Sequence, residues 1–297
     1  RDLICGDGEV ITDFFEAPCL DTVRTRFKNV PKDALPRDEV LIERSLRMGN
    51  QPSADRSTAL VEGGTLCPSA LVACAVELGE RICSKAIRKG DASCWLDLVP
   101  VTGDERFRQP LALGPGLLSG SDGIALFFAD LHAATGDEKW RAEARRASRY
   151  GTDQVADPSR LKALSMVAPL GLGTGIGGLI MAQTALATVL QDERHLKAAN
   201  AYAATVTDSR ISEARDFGLF QGLAGAVSAL VALYRLDPSQ ELADRIARAA
   251  SRLAKMRLEA KSGRESWQDT AWTAPQAGLM HGASGIALAL LEAYCLC

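Results

Sequence analysis

The feature that most constrains the fold is an eight-residue pattern, Gly-Leu-x-x-Gly-x-x-Gly, which occurs four times. The copies are GLLSGSDG, GLGTGIGG, GLFQGLAG and GLMHGASG, at residues 116–123, 171–178, 218–225 and 278–285. An apolar run such as IALFFADLHAAT or AVSALVALYRL follows each copy. Because glycine permits close backbone approach, each copy predicts a tight turn that leads into a helix. A repeat period of about 50 residues indicates a repeat architecture.

Two kinds of helix are predicted to alternate along the repeats. The runs after the turns are apolar on nearly every side, which is typical of helices buried on both faces. Charged, amphipathic stretches lie between them, at residues 137–155, 192–206 and 238–256. We therefore predict an all-α fold of inner and outer helices, arranged as an incomplete α/α toroid with about four repeats, or as an open solenoid. The free N–H groups at the inner-helix N-termini are expected to ring a central cavity.

The segment before the repeats differs in composition. Residues 1–65 contain four prolines and a polar stretch, GNQPSADRSTALVEGG, which predicts a linker. A first long helix is predicted over residues 66–90. The net charge of -3 gives no electrostatic basis for a nucleic-acid partner. No apolar run is long enough to predict a membrane span, and no signal peptide is recognisable, so a cytoplasmic location is expected.

Candidate site residues occupy one position of the repeated turn. The residue before the second glycine is polar in every copy: Ser119, Thr174, Gln221 and His281. Serine and threonine are typical helix caps, so Ser119 and Thr174 are predicted to be capping residues, and Gln221 to be structural. His281 alone can transfer protons near neutral pH and is the predicted catalytic residue. The other two histidines, His132 and His195, are expected to be solvated surface groups.

Cysteines and acidic residues add weaker signals. Cys67, Cys74 and Cys83 are predicted to lie on the first helix as small buried residues or free thiols. Cys295 and Cys297 form a C-x-C without neighbouring metal ligands in the sequence, so no metal residues are assigned. A toroidal glycosidase would need paired acids near one rim. Asp122 and Asp216 are candidates for such a pair, but nothing in their spacing selects them.

A family resemblance rests on three stretches of sequence. The repeated turns, and GLMHGASGIALALL above all, resemble the lanthionine synthetase C-like cyclases. The stretch GERICSKAIRKGDASCWLDLVP, followed by LGPGLLSGSDGIALFFADLHAATGDEKW, resembles the class II (LanM-type) lanthipeptide synthetases, in which a dehydratase domain precedes the cyclase. The first 30 residues resemble the end of that dehydratase domain. The resemblance implies that residues 1–65 are a dehydratase remnant plus linker and residues 66–297 the N-terminal part of a truncated cyclase toroid.

The resemblance implies thioether ring formation on a ribosomal precursor peptide with a leader and a core, as in lantibiotic biosynthesis. Peptide Cys thiols add to dehydroamino acids, the family's enzymes use zinc, and His281 matches the family's proton-handling histidine. The zinc-ligand turns, W-C-x-G and C-H-G, are absent from the 297 residues, so no bound cofactor is expected. Gly218 stands where the family has an aspartate, and Asp216 could compensate. These departures argue against activity of this chain by itself. The alternative is a non-catalytic α-solenoid that binds peptides, or a pseudoenzyme.

Overall fold

The computed structural model describes residues 67–101, 104–259, 265–270 and 272–296, with Leu3–Ile4, Val10–Ile11, Asp21, Thr25 and Lys28 before them. The chain divides into two compact units. One comprises residues 1–61 and 98–111, and the other residues 62–97 and 112–297. In the first unit, strands β1 (Leu3–Ile4) and β2 (Val10–Ile11) pair in antiparallel fashion. The predicted linker before residue 66 lies outside the described residues.

The described part of the chain is mostly helical, which confirms the predicted class at that level. Its helices are α1 (Pro68–Ser84), α2 (Ser121–Thr135), α3 (Glu138–Ala147), α4 (Arg149–Ala156), α5 (Pro158–Val167), α6 (Ile176–Leu190), α7 (Glu193–Ala204), α8 (Asp208–Glu213), α9 (Leu223–Leu236), α10 (Gln240–Lys255) and α11 (Ala283–Tyr294). Its further strands pair as β3 (Ile87–Lys89) with β4 (Ala92–Cys94), β5 (Leu96–Val101) with β6 (Asp104–Ala112), and β7 (Leu258–Glu259) with β8 (Glu265–Ser266).

The first helix is shorter than the sequence predicted. It ends at Ser84 rather than near residue 90, and the next residues form the β3–β4 hairpin. Gly90 takes the left-handed φ of 58° that this turn needs. The indole N–H of the buried Trp95 donates to the carbonyl of Ile82 at 2.9 Å, which fixes the hairpin against the end of the helix.

The four helices that follow the glycine turns pack side by side in chain order. Helix α2 contacts α6, α6 contacts α9, and α9 contacts α11. Every residue of α9 from Leu223 to Val231 is buried. We keep the name inner helices for α2, α6, α9 and α11. The prediction that these apolar runs are helices covered on more than one side is confirmed for α6 and α9. Helix α11 instead exposes Leu288, Leu291 and Tyr294.

The charged stretches form outer helices, as predicted. Helices α3, α7 and α10 each pack on the inner helix before them. Helix α10 buries Leu242, Ile246, Ala249 and Leu253, at the three- and four-residue spacing of one helix face. The first outer stretch is divided at Ser148 into α3 and α4.

Inner and outer helices begin differently. Outer helices have side-chain caps: the Asp137 and Asp192 carboxylates and the Ser239 hydroxyl each accept a backbone N–H of the first turn. Inner helices begin at a glycine with no side-chain cap. Two of the links from inner to outer helix pass through a single left-handed residue, Gly136 or Gln191, directly before the capping aspartate.

Candidate functional site

The repeated turns fold back on the helices that they precede. The first residue of each inner helix donates its backbone N–H to a carbonyl seven residues earlier. The four bonds are Ser121 to Gly114, Ile176 to Pro169, Leu223 to Asp216 and Ala283 to Gln276, at 2.9 Å each. The prediction of free N–H groups at these N-termini is therefore wrong for the first helical residue, because its own turn supplies the acceptor.

Successive turns also bind each other through the backbone. The N–H groups of Gly171, Leu172 and Gly173 donate to the carbonyls of Gln221, Leu219 and Phe220 at 2.8–3.0 Å. In the same way, the N–H of Phe220 donates to the carbonyl of Met280 at 2.8 Å. A Cβ on Gly171 would collide with the backbone of Phe220 and Gln221, so the first glycine is required by this close approach. The second, third and fourth turns therefore form one continuous edge.

The residues before the second glycines lie in the repeated turns, but they do not cap the helices. The cap positions are taken by the second glycines themselves, Gly120 and Gly175 in the first two turns. The prediction that Ser119 and Thr174 are caps is therefore wrong, and both side chains are exposed. Gln221 is exposed as well, whereas His281 is half-buried.

His281 lies between two aromatic rings. The Phe220 ring, from the third turn, has its centroid 5.1 Å from that of the imidazole. The Trp272 ring meets the imidazole edge-on at 5.5 Å and is itself 41% exposed. Phe220 also lies over Gly173, where a Cβ would stand 2.5 Å from the ring. These contacts hold the imidazole in a defined position while leaving part of it open to solvent.

The loop that carries Trp272 is anchored at several points. The indole N–H of buried Trp267 donates to the carbonyl of Leu253 at 2.7 Å, at the end of α10. The Trp272 backbone N–H donates to the carbonyl of Asp269 at 3.2 Å, which closes a turn just before the tryptophan. The same loop supplies a carboxylate to the third turn: Asp269 accepts N–H donors from Phe217 at 2.5 Å and Gly218 at 3.2 Å.

Asp269 was not predicted as a site residue. It is 8% exposed, and burial raises the pKa of its carboxyl, while the two backbone donors act in the opposite direction. Asp216, the residue considered as a substitute for the family's aspartate, is held elsewhere. Its Oδ1 accepts the backbone N–H and the hydroxyl of Thr270 at 2.8 and 2.6 Å. The carboxylate next to Gly218 therefore belongs to Asp269 and not to Asp216.

A second polar cluster is buried, and it includes Asp122 of the first turn. The Gln183 amide donates to Asp122 at 2.8 Å, and its oxygen bonds His195 Nδ1 at 2.8 Å. His195 is 2% exposed, so the prediction of a solvated surface histidine is wrong. His132 is half-buried at the end of α2, with its ring bonded to the carbonyl of Asp137.

Burial sets the ionisation of this cluster. It raises the pKa of Asp122 to about 7 and lowers that of His195 to about 4, because each charged form loses hydration. Gly151 is required beside it, since a Cβ there would stand within 2.7 Å of both Asp122 oxygens. Asp122 is fully buried, so it cannot pair with Asp216 at an open substrate site. The glycosidase reading therefore has no support.

The described cysteines do not form a metal centre. Cys67, Cys74 and Cys83 are free thiols, which was one of the two predicted alternatives. Cys67 and Cys74 are exposed rather than buried, whereas Cys83 is half-buried with its thiol pKa raised to about 11, chiefly by burial. Cys295 is exposed at the C-terminal end of α11, whereas His281 precedes that helix; Cys297 lies outside the described residues. Among the described residues, no group of three or more His, Cys, Asp or Glu side chains could hold a metal ion. The residues described thus do not fit a zinc site.

None of the helices in the described ranges is both long and apolar enough to cross a membrane. A search of curated proteins finds no match to the sequence. The family model for lanthionine synthetase C-like proteins matches residues 112–296, from just before the first glycine turn to just after the end of α11. That match covers more than half of the chain and contains all four turns. The chain therefore belongs to the lanthionine synthetase C-like family.

Proposed function

We propose that this chain acts in lanthipeptide biosynthesis, where it adds peptide Cys thiols to dehydroamino acids to form thioether rings. Its partner is a ribosomal precursor peptide with a leader and a core. The observation that carries the proposal is the placement of His281 in the fourth turn. This imidazole is partly open to solvent, is held between Phe220 and Trp272, and lies at an edge shared by successive turns.

His281 is the proposed acid–base group. The neutral imidazole accepts the proton of the peptide thiol, and the sulfur forms a bond to the β-carbon of the dehydroamino acid. The electron pair of the double bond moves to give an enolate, whose α-carbon then takes the proton back from the imidazolium. No proton is gained or lost overall. The exposed face of Trp272 offers an apolar surface against which a peptide side chain can pack next to the imidazole.

The finer family assignment belongs to the same proposal. Residues 1–65 are proposed to be the end of a class II dehydratase domain plus linker, and residues 66–297 part of a cyclase α/α toroid that works in the cytoplasm. The alternation of three outer and four inner helices in the described residues supports the toroidal repeat. The match to the family model supports the cyclase assignment of residues 112–296.

Ring closure is tested directly with a dehydrated precursor peptide that contains one Cys. Cyclisation leaves the peptide mass unchanged, so the free thiol is alkylated and counted by mass spectrometry. The missing zinc turns argue against activity of this chain by itself, but the position of His281 leads us to expect that alkylation falls with time when the chain is present and stays constant when the chain is heat-denatured. A peptide that binds the chain but keeps its thiol would favour the alternative, a non-catalytic peptide-binding scaffold. That alternative is favoured by the lack of a metal-holding group in the described part of the molecule.

We also expect this chain to hold no stoichiometric zinc, since the sequence lacks the W-C-x-G and C-H-G turns. The chain would be purified without chelators, and its metal content measured by elemental analysis. The expected result is far less than one zinc per chain. Retention of about one zinc per chain after dialysis would contradict it, because tetrahedral sites need several N or S ligands.

A further inference from the structure

The carboxylate of Asp269 lies where the third and fourth turns meet. An added Cβ on Gly218 would stand 3.0 Å from Asp269 Oδ2, 3.0 Å from the Met280 carbonyl oxygen and 3.1 Å from His281 Cα. Three parts of the chain therefore converge on one point: the third turn, the loop before the fourth turn, and His281 itself. The absence of a side chain at Gly218 leaves the room that the carboxylate uses.

At the junction of the third and fourth turns, Asp269 replaces a backbone hydrogen bond that is present at the junction of the second and third turns. Between the second and third turns, Gly171 donates its N–H to the carbonyl of Gln221, the residue before the second glycine. The equivalent acceptor between the third and fourth turns would be the carbonyl of His281. Gly218 donates instead to the side chain of Asp269. The Asp269 carboxylate thus serves as the hydrogen-bond acceptor that a backbone carbonyl provides at the preceding junction.

Two neighbouring charged residues act on the carboxyl of Asp269. Asp216 raises its pKa and His281 lowers it. Asp216 lies in the third turn and is bonded to Thr270. His281 lies in the fourth turn and is the neighbour that can become a cation. A charge on this imidazole and the charge on Asp269 favour each other.

We propose that Asp269 is a positioning residue for His281: it fixes the third turn, on which His281 lies, and supplies a carboxylate near the charge that develops on the imidazole. This inference rests on the proposed function. When the thiol proton moves to His281, the positive charge develops beside an anion already fixed by two backbone donors. When the proton returns to the α-carbon, that charge disappears. Asp269 neither gains nor loses a proton and touches no reacting atom.

The electrostatic part of the proposal is tested without any substrate. The backbone amide signals of Phe217 and Gly218 in NMR spectra report the titration of Asp269, since both donate to its carboxylate. In the His281→Gln variant we expect that titration to move to higher pH, by about one pH unit, because the cationic neighbour is gone. His132→Gln is the matched control and should leave the titration in place. An unchanged titration in His281→Gln would overturn the proposal.

The positioning role is tested by Asp269→Asn in the thiol-alkylation assay. Asparagine keeps one acceptor for the third turn but loses the charge. We expect ring closure to slow by about 10- to 100-fold, as loss of a close opposite charge at a partly buried site predicts, with unchanged peptide affinity. Retained ring closure at the wild-type rate would overturn the proposal. If the wild-type chain closes no ring, the proposed function fails, while the NMR result still decides the pairing of Asp269 with His281.

Discussion

Replacing His281 with Gln is expected to slow thioether formation by about 100- to 10,000-fold, the range typical of general acid–base groups. Glutamine fits this position, because the third turn carries Gln221 at the equivalent place. The variant therefore removes the proton-transferring ring while keeping a polar side chain of similar reach. The rate of loss of alkylatable thiol, measured by mass spectrometry on a dehydrated peptide, is the readout.

His132→Gln serves as the control for that experiment. Its ring lies at the far end of α2 from the glycine turn, bonded to the carbonyl of Asp137. This variant should close rings at the wild-type rate. If His281→Gln lost helical content by circular dichroism, while each folded molecule kept its normal rate, His281 would be a structural residue of the turn and the catalytic assignment would be wrong.

Replacing Asp122 with Asn is expected to stabilise the chain against unfolding, relative to wild type, by more at pH 7 than at pH 4. Folding raises the pKa of Asp122 from 3.8 to about 7. Between these values the unfolded chain releases this proton while the folded chain retains it, so the free energy of unfolding falls as pH rises. Each pH unit costs about 1.4 kcal/mol. Asparagine removes this contribution, and the difference from wild type should grow to several kcal/mol by pH 7.

His195 contributes with the opposite sign and partly masks the effect in the wild type. Its pKa falls from 6.5 to about 4 on folding, so between these values stability rises with pH. The measurement is urea unfolding followed by tryptophan fluorescence at pH 4, 5.5 and 7. Asp130→Asn, on the exposed side of the same helix, is the matched control. An Asp122→Asn difference that is constant with pH would show that folding does not raise the pKa of Asp122.

Glycine spacing made much of the architecture predictable, because close approach between turns can be met only by residues without a side chain. The four turns predicted the inner helices, and His281 followed from its place in the fourth turn. Asp269 could not be found in this way. It lies in a loop without periodicity, and its role depends on how that loop crosses the third turn.

His195 shows a different failure, since the sequence did contain a signal. The place of His195 on a predicted outer helix suggested exposure. However, Ala198, Ala199 and Tyr202 follow it at the spacing of one helix face, and all are buried with it. Asp122 was considered as one of a pair of acids near the rim, whereas it is fully buried with Gln183. Burial of a charged residue type depends on a specific partner, and pairing between distant helices is not visible in a single sequence.

Because backbone hydrogen bonds join successive turns, the position of His281 depends on more than one repeat. His281 is seated on the third turn through the bond from Phe220 to Met280, and the third turn is seated on the second through three further bonds. Stability in such an array is largely a sum of nearest-neighbour terms, so strain in one unit is transmitted to the next. A side chain forced onto Gly171 would displace Phe220 and Gln221, and through Phe220 it would loosen the imidazole one repeat further on. Substitutions two repeats away from the reacting group can therefore act as active-site substitutions.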